Sequence, residues 1–233
     1  MTGASRESLR PRQLPLELGH SPALSRDDLI VSDANRAAVA LVDRWPDWPS
    51  HVTVLAGPTG SGKSHIASIW REMAGATEFR AEHLGAEAIA TAALGPVLID
   101  DVDSSPLDET GLFHLINAVK QANTCLLLCA RQFPGGWQIG LPDLASRLKA
   151  AATVEIGEPD DALLSGVITK LFADRQIEVD PHVIQFVARR IERSLSAAIL
   201  AVSEMDRVAL ERRSRITRTV AADVVAAMEH LEP

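Results

Sequence analysis

The stretch Gly57 to Ser64, GPTGSGKS, constrains this chain more than any other part of it. It satisfies the spacing G-x-x-x-x-G-K-[ST], and both of its flanks suit that spacing. Before it, residues 51 to 56, HVTVLA, form a short β-branched run that reads as a buried strand. After it, a helix is expected from Lys63 to about Met73. Between the two, Gly57, Pro58, Thr59, Gly60, Ser61 and Gly62 allow the chain to curl so that backbone N–H groups face an anion. Lys63 then supplies a cation for the β and γ phosphates of a nucleotide, and Ser64 a hydroxyl for Mg²⁺. His65 follows and is grouped with the nucleotide-binding residues, although packing suits it better than catalysis. The expected cofactors are ADP or ATP, with Mg²⁺.

Such a loop needs a carboxylate at the end of a nearby strand. PVLIDDVD, residues 96 to 103, reads as a strand running into acids. Asp100 is placed to hold Mg²⁺, mostly through water, and Asp101 to activate an attacking water. Taken alone, two acids after a strand describe a solvated loop; behind a phosphate loop they describe a metal site. Two arginines could complete the chemistry. Arg147, in LPDLASRL, is either a surface residue on a short helix or an arginine finger acting on a γ-phosphate held by another subunit. Arg193 is either a lid contact to the nucleotide or part of a solvated helix face.

The rest of the chain places these motifs. Residues 1 to about 25 are rich in Ser, Arg, Pro and Gly and read as a mobile tail. From Asp33 a helical period begins and ends at Pro46. Leu112, Phe113, Leu115, Ile116 and Val119 mark another helix. TCLLLCA, 124 to 130, and ATVEI, 152 to 156, are further strands. Strands alternating with helices argue for a parallel sheet covered on both faces. After GEPDD the strands stop, and four helices are expected over about 160–175, 181–192, 195–213 and 217–230. The organisation is thus a tail over 1–25, an α/β nucleotide-binding part over 26–158 and a small helical lid over 159–233.

Among 233 residues, 23 are Lys or Arg and 31 are Asp or Glu, a net charge of −8. That balance argues against coating DNA by charge, so contact with DNA is read as indirect or weak. Cys125 and Cys129 stand about 13 Å apart on a strand, too far for a disulfide. They read as reduced core thiols of a cytoplasmic protein. No run of about 18 apolar residues suggests a membrane span.

In this order, a loop ending GKSH, a strand ending LIDDVD, the LPDLASRL segment and a four-helix lid resemble the AAA+ module of the bacterial replication initiator DnaA, over roughly residues 27 to 230. The resemblance implies an AAA+ phosphate-loop fold: a parallel five-stranded sheet flanked by helices, followed by the lid. An initiator carries a large N-terminal region and a C-terminal helix-turn-helix domain, and neither fits this chain. The tail carries RQLPLELGH instead, residues 12 to 20. Gln13, Leu16 and Leu18, with Leu14, fit the short peptide that binds the DNA polymerase III sliding clamp (beta subunit). A DnaA-like module behind a clamp peptide resembles the Hda family of replication regulators. That resemblance implies an ADP-loaded, clamp-tethered protein that stimulates hydrolysis of ATP on DnaA, with Arg147 as the finger acting in trans. Homo-oligomers are compatible with it. Two departures stand out. Ala130, followed by Arg131, occupies the place of a polar sensor, and Ser196 that of a lid arginine, with Arg193 one turn earlier. Both point to weak turnover by the protein alone. The alternatives are a self-acting ATPase of helicase-loader or transposition-helper type, and a direct DNA binder.

Overall fold

A computed structural model describes Arg26, residues 29–103 and residues 106–229. Gln13, Leu14, Leu16 and Leu18 lie outside the described residues. After helix α1 (Arg36–Asp43) come β1 (Val52–Ala56), α2 (Lys63–Ala74), β2 (Thr77–Phe79), α3 (Ala86–Ala92), β3 (Val97–Ile99), α4 (Glu109–Ala122), β4 (Leu126–Ala130), α5 (Pro142–Lys149) and β5 (Ala152–Glu155). The five strands form one sheet in the order β2-β3-β4-β1-β5, and every pairing is parallel. This is the five-stranded parallel sheet that the resemblance implies. The strand expected over 96–103 is shorter than anticipated, because pairing stops at Ile99 and leaves Asp100 and Asp101 at its C-terminal edge. Neither β2 nor α3 is foreseen from the sequence. β2 has only three residues at the sheet edge, two of them exposed, so no apolar run announces it.

Strand alternation decides which helix each side chain meets. Val52 and Val54 of β1, Val97 and Ile99 of β3, and Leu126 and Leu128 of β4 all pack with Leu84, Leu112, Leu115, Ile116 and Leu144, beneath α3, α4 and α5. Their neighbours Leu55, Leu98, Leu127 and Cys129 face the other way, onto Val39 and Val42 of α1 and Ile66 and Trp70 of α2. Strands apolar at every position therefore belong at the centre of the sheet, where both faces are covered. β5, at the opposite edge, alternates in burial instead.

Four helices follow the sheet: α6 (Asp161–Asp174), α7 (Pro181–Ala188), α8 (Leu195–Arg212) and α9 (Arg218–Glu229). The first three are started by side chains that accept from otherwise unused N–H groups: Asp160 from Leu163 (2.7 Å), Asp180 from His182 (2.8 Å) and Ser194 from Ala197 (3.0 Å). Their core gathers Ile168, Phe172, Val187, Val202, Met205 and Val224. Ala197, Ala198 and Ala201 on α8 join it with little bulk, which lets neighbouring helices approach closely. α7 is shorter than the helix expected over 181–192. It ends at Ala188, and the turn that follows carries the chain to the start of α8.

Candidate nucleotide site

The loop Gly57–Gly62 joins the C-terminal end of β1 to the first turn of α2. The Gly57 N–H donates to the carbonyl of Ala130 at the end of β4 (3.1 Å), which fixes where the loop leaves the sheet. Gly60 and Gly62 take left-handed φ values of 74° and 99°, a region that residues with a Cβ seldom enter. A Cβ at Gly60 would also lie 2.4 Å from Cβ of Ser194, just before α8. The Leu195 N–H donates to the Gly60 carbonyl (2.8 Å). The phosphate loop and the lid are thus in direct contact through two residues far apart in the chain.

Lys63 is 6% exposed, and its Nζ donates to the carbonyls of Gly57 and Pro58, both at 2.8 Å. These contacts hold an ammonium over its own loop, where a phosphate group would meet it. Ser61 is 1% exposed, and its Oγ is buried without a hydrogen-bond partner. An orphaned hydroxyl of this kind is costly, and an anion lying along the loop would give it a partner. The residues therefore fit a nucleotide polyphosphate. Ser64, exposed in the first turn of α2, and Asp100 supply oxygen donors of the sort Mg²⁺ takes alongside phosphate and water. Among the described residues no cluster of three or more His, Cys, Asp or Glu forms a separate metal site.

Asp100 follows the last residue of β3, and its Oδ1 accepts from the Asp101 N–H (2.9 Å). Asp101 has φ of 50° and is exposed. Ile99 pairs with Leu128, so Asp100 lies beside Cys129 on the next strand. Burial, followed by the charge and hydrogen bonding of Asp100, pushes the Cys129 thiol well above its ordinary range, while Lys63 acts in the opposite direction. Cation, carboxylate and thiol therefore meet at the C-terminal ends of β3 and β4. Asp103 does structural work. Its carboxylate accepts from the N–H groups of Arg131 (2.8 Å to Oδ2) and Gln132 (3.1 Å), holding the chain as it leaves β4.

A cavity of about 440 Å³ opens over the loop. Thr59 to His65 form one side, and Asp101 and Arg131 lie at its rim. Leu195, Ser196 and Ile199 of α8 and Leu163, Val167, Lys170, Leu171 and Asp174 of α6 supply the lid side, with Leu29, Ile30 and Asn35 closing it. Asn35 secures that last segment, accepting from the Ser32 N–H (2.9 Å) and donating to the Ile30 carbonyl (2.8 Å). The cavity thus has a polar end at the loop and an apolar end built by Leu29, Ile30, Val167 and Leu171. Sequence reasoning overlooks this apolar end and also Lys170. The signal is present, since Val167, Lys170, Leu171 and Asp174 recur at the spacing of one helix face. What the sequence lacks is any indication that this face looks onto the loop.

The two arginines lie elsewhere. Arg193 is not among the residues lining the cavity. Its guanidinium donates to Asp161 Oδ1 (2.9 Å) and to the Pro159 carbonyl (3.2 Å), while Ser196 does line the cavity. Arg147, in the last turn of α5, is likewise absent from the cavity and stacks over the Phe113 ring, 4.6 Å from its centroid. Three of the tryptophans form a cluster: Trp70 stacks on Trp48 at 4.9 Å and meets Trp45 edge-on at 5.4 Å. Trp70 is fully buried, which makes this packing rather than a platform for bases.

No protein-family model matches the chain. Over 257 aligned residues it is 23% identical to the chromosomal replication initiator protein DnaA of Thermomicrobium roseum, covering 95% of this chain and 54% of that protein. The chain thus spans about half the length of the curated relative it matches. Domain III of the Thermotoga maritima replication initiation protein DnaA superposes with a TM-score of 0.75 at 16% identity, over 88% of this chain and 97% of that one. AMPPCP-bound DnaA from Aquifex aeolicus gives a TM-score of 0.67 at 17% identity, over 81% of this chain and 65% of that one. These likenesses show the fold: a five-stranded parallel sheet flanked by helices, as in the DnaA structures.

Proposed function

We propose that this chain is a nucleotide-bound regulator of replication initiation that acts on the ATP of DnaA. Gln13, Leu14, Leu16 and Leu18 tether it to the sliding clamp on DNA. Its own nucleotide, ADP in the working form, sits over Gly57–Ser64 and sets the position of the lid. Arg147 then enters the nucleotide site of a neighbouring DnaA and stabilises the charge that develops on the γ-phosphate.

The observation that carries this reading is the separation of Arg147 from the chain's own cavity, combined with its accessibility. It is partly exposed and is held by a ring rather than a carboxylate. A cation–π contact at such a site contributes about 0.5–1 kcal/mol. An arginine finger supplies roughly 10³–10⁵ in rate, or about 4–7 kcal/mol at about 1.4 kcal/mol per factor of ten. Leaving Phe113 is therefore a small cost beside what the guanidinium contributes in a partner's site. Weak turnover of its own nucleotide agrees with Ser196 at the lid position and with Arg193 engaged by Asp161. A second reading, a self-acting ATPase, draws support from Arg131, Lys170 and Asp101 around the cavity.

The test uses clamp-loaded DNA, ATP-bound DnaA and this protein with ADP or ATP, following the nucleotide on DnaA. Wild type is expected to convert DnaA-bound ATP to ADP. Arg147→Ala should bind clamp and nucleotide normally and fail to convert it. Gln13→Ala should lose the clamp and keep its nucleotide. Conversion by Arg147→Ala at the wild-type rate would refute the mechanism, and steady-state turnover by the isolated protein would favour the second reading.

A further inference from the structure

The lid has a second concave surface that shares no residue with the nucleotide cavity. It lies among the α6–α7 connection, the end of α8 and the α8–α9 connection, and encloses about 1160 Å³. Its floor is apolar, formed by Ile177, Val179 and Ile216 and by Leu210, which is 63% exposed. Arg213, Arg215 and Arg218 stand around it.

These arginines differ from most others in this acidic chain. Arg26, Arg71, Arg175, Arg193, Arg207 and Arg212 all face a carboxylate. Among the described residues, Arg213, Arg215 and Arg218 make no ion pair, and neither does Arg190 close by. Arg190 and Arg218 both lie over the ring of Phe186, at 4.0 and 5.0 Å, which ties the group into one patch. Three carboxylates also line the groove: Asp206 faces Arg175 (3.9 Å), Asp180 caps α7, and Glu178 lies on the α6–α7 connection, whereas the arginines gather at the α8–α9 connection. Helix endings shape the same place. Four non-glycine residues among those described have left-handed φ: Asp101, Asn123, Gln176 and Arg213. Asp101 lines the nucleotide cavity, whereas Gln176 (φ 58°) and Arg213 (φ 48°) both line this groove. Both end a helix: the Ile177 N–H donates to the Phe172 carbonyl (2.9 Å) and the Ser214 N–H to the Ala209 carbonyl (3.0 Å), closing α6 and α8 at the two chain reversals that border the groove.

From these observations we infer that the lid groove is a docking site for an acidic segment of a partner protein, one that inserts apolar side chains over Leu210 and Ile216 while its carboxylates meet Arg213, Arg215 and Arg218. Arginine matches carboxylates through paired N–H donors. The apolar floor favours a peptide over nucleic acid, because a phosphate backbone has nothing to bury there.

The full-length protein is titrated, by fluorescence anisotropy, into a short fluorescein-labelled peptide alternating Glu and Leu. Its Lys–Leu counterpart and labelled oligothymidylate serve as competing probes. The Glu–Leu peptide is expected to bind, with an affinity that falls as salt rises, and the Lys–Leu peptide is not. R213E/R215E should weaken binding roughly tenfold or more, and Leu210→Ser should weaken it severalfold. All these positions are exposed, so melting and ADP binding should stay at wild-type values and report that the variants are folded. Absence of peptide binding, or binding indifferent to R213E/R215E, overturns the inference. So does oligothymidylate binding that R213E/R215E removes and Leu210→Ser leaves unchanged, which would make the patch a nucleic-acid surface.

Discussion

The contact between phosphate loop and lid can be tested at a single atom. Gly60→Ala places a Cβ in left-handed backbone, which costs about 1 kcal/mol. It also sets that Cβ 2.4 Å from Cβ of Ser194, a distance that forces the two segments apart. The 2.8 Å bond from the Leu195 N–H to the Gly60 carbonyl would be lost in the process, at about 0.5–1.5 kcal/mol. The sum is roughly 1.5–2.5 kcal/mol, or about 3–10 °C in melting temperature at about 2–4 °C per kcal/mol for a chain this long. Ser194→Gly removes the atom in the way and leaves Ser194 Cα at 3.3 Å, a tight contact that a shift of a few tenths of an ångström relieves. As a change of helix cap it costs only a few tenths of a kcal/mol. In the Gly60→Ala background it should therefore recover about 1 kcal/mol, and the double-mutant cycle should show that coupling. Urea denaturation of the four proteins gives the numbers, and ADP titration shows whether the displaced lid loosens the nucleotide. If Gly60→Ala lies within about 0.5 kcal/mol of wild type, the range of an unremarkable surface change, the lid does not rest on the loop. Additive losses in the cycle would refute the reasoning equally.

Other consequences follow from the core. The native state keeps the Cys129 thiol protonated, chiefly through burial and then through Asp100. The unfolded chain releases that proton near pH 8.5, so above that pH it binds fewer protons than the native chain, and stability falls as pH rises, by at most about 1.4 kcal/mol per pH unit for this group. Cys129→Ala should flatten that alkaline limb in urea midpoints taken from pH 8 upward, whereas an unchanged limb would assign it to other groups. Trp70→Ala removes a fully buried ring that packs on Trp45 and Trp48 and should cost about 3–5 kcal/mol. Denaturant unfolding measures it, and a loss under 1 kcal/mol would mean the tryptophan cluster contributes little.

Much of the architecture was legible because local patterns and tertiary environment agree. β1 and β4 read as buried strands: β4 is apolar at every position and β1 departs from that only at Thr53, and such runs need cover on both faces. The loop of Gly57 to Ser64 was legible because its chemistry depends on residues adjacent in the chain. The end of α7 and the edge strand β2 were not. β2 is three residues held by pairing with β3, and that pairing leaves no mark on the composition of Thr77–Phe79.

The sequence alone determined the glycine-rich loop, the acids behind it and the alternation of strands and helices. All of these rest on periodicity or on spacing within a few residues. Only the tertiary structure decided what surrounds the loop. Ile30 packs against Gly166, where an added Cβ would come within 3.1 Å, and Gly60 meets Ser194. Such contacts join residues more than a hundred positions apart and depend on how α6 and α8 pack over the sheet. The same packing draws Arg193 to Asp161, turns Ser196 toward the cavity and gathers Arg213, Arg215 and Arg218 around an apolar groove. A linear pattern encodes which face of a helix is apolar, but the object that face meets is settled by the packing of the whole chain.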